Sequence, residues 1–159
     1  DEYRLSVLAG YKRSKAEVLA RMEQRKQSKP QHKKQDDSYI SLTELARNHS
    51  KNTPGYVIQS WLRSENTLAF LNLWEQENNP NYREVSYIEL LEKKKTASFT
   101  LTPKLWIEKT EAIGIASKQG KGGGTFAHPM IGCEFASWIS PEFKMLLLKL
   151  SLNRERLKE

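Results

Sequence analysis

The stretch 115–129, IASKQGKGGGTFAHP, decides how the rest of this chain reads. Ile115 to Ser117 and Thr125 to Ala127 are short β-capable pieces, and the insert between them carries Lys118, Lys121 and glycines 120, 122, 123 and 124. An insert of that kind turns the chain back on itself, so a β-hairpin is expected here. Glycine also lets a backbone approach another molecule closely and present successive N–H groups to a phosphate, while Lys118 and Lys121 add charge and Thr125 a hydroxyl. A plain glycine-rich turn needs the same glycines, so both readings stand on these residues alone. A nucleotide-hydrolysing phosphate loop does not. The run 120–125, GKGGGT, lacks the four-residue gap before Gly-Lys-Ser/Thr and lies between strands instead of opening a helix.

Outward from the hairpin, a hydroxyl or imidazole followed by proline recurs at Thr53-Pro54, Thr102-Pro103, His128-Pro129 and Ser140-Pro141. Each is an expected helix start, because proline at the first helical position loses no hydrogen bond and the preceding side chain can cap. Ser41 and Glu44 add a capping-box spacing before Leu42, Leu45 and Ala46. The expected order is therefore a short helix from Leu42, a turn through His49 to Asn52, and a second helix from Pro54 to Arg63. A third runs from Thr67 to Glu77, and a short one follows Ser86. Ser98 to Leu101 reads as a strand and Pro103 to Glu111 as a helix closed by a left-handed Gly114. Two helices, Pro129 to Ile139 and Pro141 to Lys158, end the chain. Ile131, Phe135, Trp138, Phe143, Leu146, Leu147 and Leu150 are expected core residues, as are the inward Trp61, Trp74 and Trp106. The fold class is α+β and helix-rich, with a few short strands.

The 159 residues carry 26 Lys+Arg against 19 Asp+Glu, a net charge of +7. Residues 1–37 hold ten of the basic and six of the acidic residues. They read as a basic helix from Lys15 to Gln27 followed by SKPQHKKQDD, a linker without one hydrophobic residue. The division is then a basic extension, 1–37, and a compact domain, 38–159. No apolar run approaches the roughly 20 residues that a bilayer span needs, so no membrane association is expected. The start at Asp1 and the absence of signal-peptide order read as a fragment or trimmed product of an intracellular protein. One cysteine, Cys133, excludes an internal disulfide, and His32, His49 and His128 have no metal-ligand spacing. Cys133 sits among Ile131, Phe135 and Ala136, where a thiol behaves as a small hydrophobe. Glu75, Glu77, Glu89, Glu92, Glu108 and Glu111 read as solvated acids on polar helix faces. No catalytic residue, metal or cofactor is expected, and the chain reads as a binding protein and not an enzyme.

A helix pair followed by a basic hairpin is the parts list of a winged helix-turn-helix. In that reading Lys51, Asn52 and Thr53 meet phosphates at a helix N-terminus. Gln59, Ser60 and Arg63 reach base edges, since Gln and Arg pair bidentately with adenine and guanine. An ordinary solvent-facing helix would show the same polar face.

Three longer blocks are more specific: YISLTELAR at 39–47, VIQSWLRSENTLAFLNLWE at 57–75, and FTLTPKLWIEKTEAIGIASKQGKGGGTFAHPMIGCEFASWISPEFK at 99–144. Together they closely resemble the KilA-N domain, a family of bacteria, bacteriophages and large eukaryotic DNA viruses that is regarded as a DNA-binding module related to the fungal APSES domain. The resemblance covers Ser38 to Glu159. It implies double-stranded DNA as the partner and assigns Lys118, Lys121, Gly122, Gly123 and Thr125 to a wing, with Gly124-Thr125 matching the wing's glycine-threonine step. His128 closes the motif, and capping of the following helix accounts for it. The implied setting is the cytoplasm, at the bacterial nucleoid or in a phage-infected cell, as a transcriptional regulator or the targeting module of a larger protein. Two features depart from the family. A basic helix and linker stand where relatives have a β-rich stretch, and relatives often continue into a partner domain past the last helix. The alternatives are a protein-docking, antirepressor-like module acting through the N-terminal helix or the C-terminal end, and non-specific nucleic-acid or RNA binding. A homodimer is a further expectation, since DNA readers often pair.

Overall fold

The computed structural model describes residues 38–156. The expected helix and linker of residues 1–37, and the last residues of the final helix, lie outside that range. Among the described residues the order is β1 (Ile40–Ser41), α1 (Leu42–His49), α2 (Pro54–Arg63), α3 (Glu65–Asn78), α4 (Glu84–Lys93), α5 (Pro103–Thr110), β2 (Ile115–Lys118), β3 (Gly124–Ala127), α6 (Pro129–Ile139) and α7 (Pro141–Arg156). The fold is α+β and helix-rich, as the pattern of starts and apolar faces implies.

The helix starts follow the sequence closely. Ser41 Oγ accepts from Glu44 N at 3.1 Å, Thr102 Oγ1 from Leu105 N at 3.1 Å, and Ser140 Oγ from Phe143 N at 3.1 Å. His128 Nδ1 accepts from Met130 N at 3.1 Å, so the imidazole is the cap of α6. Thr53 differs: it precedes Pro54 in extended conformation but makes no side-chain cap bond.

The three strands form an antiparallel sheet in the order β1-β3-β2. Ile115 pairs with Ala127 and Lys118 with Gly124 across the hairpin, while Ile40 pairs with Ala127 on the other side of β3. The core is a single cluster in which Trp61, Trp106, Leu62, Leu71, Ile131 and Phe135 are fully buried. The helix α1 packs on α2, β3 and α6.

Several local expectations are corrected. Ser98 to Leu101 is turn and coil, not strand. Phe99 N bonds back to Thr96 O, and burial of Leu101 beside half-buried Phe99 imitates a strand's alternation without a partner edge. The third strand is instead Ile40–Ser41. The left-handed residue after α5 is Glu111, with φ 54°, whereas Gly114 is required by contact. A Cβ there would lie 2.5 Å from Ile131 Cδ1 and 2.8 Å from the Trp74 ring. The helix α3 begins two residues earlier than expected, at Glu65, and α4 three residues earlier, at Glu84, so that Ser86 is buried inside α4. Trp138, Leu146 and Leu150 are exposed, and Cys133 is only half-buried.

Candidate nucleic-acid interface

The hairpin tip is built from glycine because its backbone demands it. Gly120, Gly122 and Gly124 have φ of 86°, 72° and 139°, where a side chain is strained. Gly123 N donates to Gly120 O at 3.0 Å, closing a turn that has Gly122 in the position needing positive φ. A Cβ on Gly123 would strike the Lys118 carbonyl, and one on Gly124 would meet Thr43 Oγ1 at 2.6 Å. Lys121 and Lys118 are both exposed, and Lys118 Nζ lies 5.1 Å from the centre of the Phe126 ring. Thr125 is buried, with its backbone N–H donating to Thr43 Oγ1 at 2.9 Å. Its backbone latches β3 to α1.

The hairpin base is a different environment. Glu75, on α3, is 1% exposed, so it is not the solvated acid that its neighbours in sequence imply. Its Oε1 accepts from Gly114 N at 2.7 Å and Ile113 N at 3.0 Å, and its Oε2 accepts from Asn79 Nδ2 at 2.8 Å. The carbonyls of the same two hairpin residues are also held. Tyr39 Oη donates to Ile113 O at 2.7 Å and His128 N to Gly114 O at 2.9 Å. Burial pushes the Glu75 carboxyl above the usual carboxylate range, against the Asn79, Gly114 and Ile113 hydrogen bonds that pull it down. Every backbone polar group of Ile113-Gly114 is thus bound within the protein, which fixes where β2 departs.

On the helix pair, Lys51, Asn52 and Thr53 are exposed at the N-terminus of α2. Arg63 is exposed at its C-terminus, about 15 Å away along the axis. Gln59 and Ser60 are half-buried between them. Lys51, Asn52 and Thr53 thus stand at one end of α2, and Gln59, Ser60 and Arg63, at i, i+1 and i+4, share a face toward the other. Two residues escaped the sequence reading. Tyr56, 52% exposed, lies under Arg63 with the guanidinium carbon 5.8 Å from its ring centre. Lys94 donates its ammonium to the Arg63 carbonyl, and burial lowers its pKa, against Glu65 which raises it. Tyr56 was readable in principle, standing seven residues before Arg63 on one helix face. Lys94 was not, because only tertiary packing brings α4 to the end of α2.

One further ring and charge contact ties α2 to α6. Trp61 Nε1 donates to Glu134 Oε2 at 2.6 Å. Burial raises the pKa of Glu134, while Trp61 and Lys144 lower it. Among the described residues no group of three or more His, Cys, Asp or Glu could hold a metal ion, and no helix is long and apolar enough to cross a membrane.

With this geometry in place, comparison with known families is specific. The profile of the KilA-N domain matches residues 23–155. The chain belongs to the KilA-N domain family. The matched span takes in β1 through almost all of α7, including the hairpin and the helix pair, and begins before Ser38. Protein kilA of Escherichia phage P1 is 46% identical over 50 residues, a stretch equal to 29% of this chain and 19% of that protein. The similarity to this phage relative therefore spans about a fifth of the relative's length. No solved structure matches the chain.

Proposed function

We propose that this KilA-N domain binds double-stranded DNA, with the hairpin as the backbone-contacting wing and α2 as the element presented to the groove. The observation that carries the reading is the contrast within the hairpin: Lys118 precedes and Lys121 sits within an exposed glycine turn whose base is fully bonded into the protein. A rigidly launched, cationic tip fits a phosphate chain, and Gly122 and Gly123 let its main chain approach one closely. Lys51, Asn52 and Thr53 add a second phosphate contact, since Thr53 makes no cap bond and α2 begins there. Arg63, backed by Tyr56, reaches base edges, with Gln59 and Ser60 contributing from the half-buried face. The domain is a binding module and not an enzyme, and it acts on phage or bacterial DNA inside the cell, as a regulator or as the targeting part of a larger protein.

The test is fluorescence anisotropy of the full chain against labelled duplex DNA, single-stranded DNA and RNA over a salt series. Duplex preference with a steep salt dependence is expected, and Arg63→Ala is expected to alter sequence preference more than overall affinity. Equal or stronger binding to single strands would replace this reading with non-specific nucleic-acid binding.

A further inference from the structure

The run KKKTASFTLT at 93–102 carries three lysines and no acid, and neither the hairpin nor α2 accounts for it. Lysine at the end of a helix offsets the helix dipole and can meet its last carbonyls. At the end of α4 the main chain and a threonine meet them instead. Leu90 O accepts from Lys94 N at 3.0 Å, Glu92 O from Lys95 N at 3.2 Å, and Lys93 O from Thr96 N at 3.0 Å and from Thr96 Oγ1 at 2.7 Å. The helix end closes without any of the three ammonium groups.

Their environments divide them. Lys94 is half-buried and donates its ammonium to the Arg63 carbonyl, within the field of Glu65. That bond bolts the end of α4 to the C-terminus of α2, within one lysine side chain of Arg63. Lys93 and Lys95, on either side of the bolt in sequence, are exposed. Lys95 shares its charge with Glu92 at 3.3 Å, but the two side chains are 65% and 55% exposed, and such a surface pair is weak enough to exchange for a stronger anion. Ser98 and Thr100, farther along the same run, are exposed too.

The position beside Arg63 decides the ligand. A side chain that reads base edges lies in a major groove about 12 Å wide and walled by phosphates, so a phosphate chain passes roughly 6 Å to either side of it. Lysines and hydroxyls on that flank are the residue types that hold such a chain. Resting on the reading of α2 as the groove element, we infer that the end of α4 is a further phosphate-contacting site: Lys93 and Lys95 grip the DNA strand that flanks Arg63, with Lys94 tying the two helix ends together. Its occupant is the sugar-phosphate backbone of duplex DNA, with no base read.

Salt-dependent binding of the full chain to a labelled duplex of mixed sequence tests it. Lys93→Ala with Lys95→Ala is expected to lower the slope of log affinity against log salt by roughly two, so that an about fourfold rise in salt costs the variant about tenfold less affinity than the parent. Lys144→Ala with Lys149→Ala removes the same charge from α7, which packs on α6, and is expected to keep the parent's slope. Acetylation of lysines by N-hydroxysuccinimidyl acetate, read by mass spectrometry, should slow at Lys93 and Lys95 when duplex is added and continue at Lys149. The parent's slope in the α4 variant, equal losses in the two variants, or labelling at Lys93 and Lys95 indifferent to duplex each overturns the inference while leaving duplex binding in place. A less stable α4 variant that keeps the slope does so as well, by confining the lysines to closing the helix. A parent chain that binds no duplex overturns the inference and the reading of the domain together, so the two failures are distinct.

Discussion

The base and the tip of the hairpin are a few residues apart and built on opposite principles. At the base, Ile113-Gly114 has both N–H groups on Glu75 and both carbonyls on Tyr39 and His128, and Gly114 is glycine because Trp74 and Ile131 leave no room. At the tip, Gly120 and Gly122 have nothing within 4 Å of a would-be Cβ, and are glycine because of their φ alone. A buried base fixes direction, and an open tip leaves charge and backbone free for another molecule. Substitutions at the base should therefore act through folding, and those at the tip through binding.

The largest expected effect is at the base. Glu75→Ala strands two backbone N–H groups in a buried site, leaves the Asn79 amide with the Glu111 carbonyl alone, and opens a cavity, which should cost about 3 kcal/mol of unfolding free energy. Urea unfolding measures it, and a loss well under 1 kcal/mol would show that the clamp contributes little. The two kinds of glycine sharpen the contrast. Gly114→Ala overpacks a closed site and should cost about 2 kcal/mol, whereas Gly122→Ala meets only strain at positive φ and should cost about 1 kcal/mol. Equal costs would erase the distinction.

At the tip the sign of the contrast reverses. Lys118→Ala with Lys121→Ala should leave stability within about 0.5 kcal/mol of the parent. The slope of log affinity for duplex against log salt should fall by roughly two, one for each phosphate contact removed. A double variant that binds duplex with the parent's slope would remove the hairpin from the interface.

The same contrast explains what the sequence could disclose. Local signals were legible: Ser41, Thr102, His128 and Ser140 each cap the helix expected of them. The hairpin, written in glycine and lysine, lies within one residue of its expected bounds. Features created by distant packing were not legible. Glu75 looks like any acid on a helix, and its burial exists only because Asn79 and the start of β2 converge on it. The two-residue strand β1 has no pattern of its own and is defined by β3. The candidate site divided along the same line. Lys118, Lys121 and Arg63 are exposed as their types imply, while Thr125 is buried because β3 seats it on Thr43.

The smallest expected effect tests which force governs the base. Burial raises the Glu75 carboxyl above its usual value of 4.5, while Asn79, Gly114 and Ile113 oppose the rise. Between that value and the raised one, the folded chain keeps a proton that the unfolded chain has released. Stability should therefore fall as pH rises through this window and level off above it. Glu134, raised by burial against Trp61 and Lys144, titrates with the same sign, so the informative quantity is the difference between the parent and Glu75→Gln at each pH. Glutamine keeps one acceptor for the backbone N–H groups and cannot titrate. The parent should lose stability relative to this variant as pH rises from about 4.5. A relative gain as pH rises toward about 4.5, with no loss above it, would mean that the three donors outweigh burial, and that the hairpin is anchored by a carboxylate anion held below its usual range. The base would then be an electrostatic clamp, and the contrast with the tip would be one of charge sign, anionic anchor against cationic tip, and not only of burial.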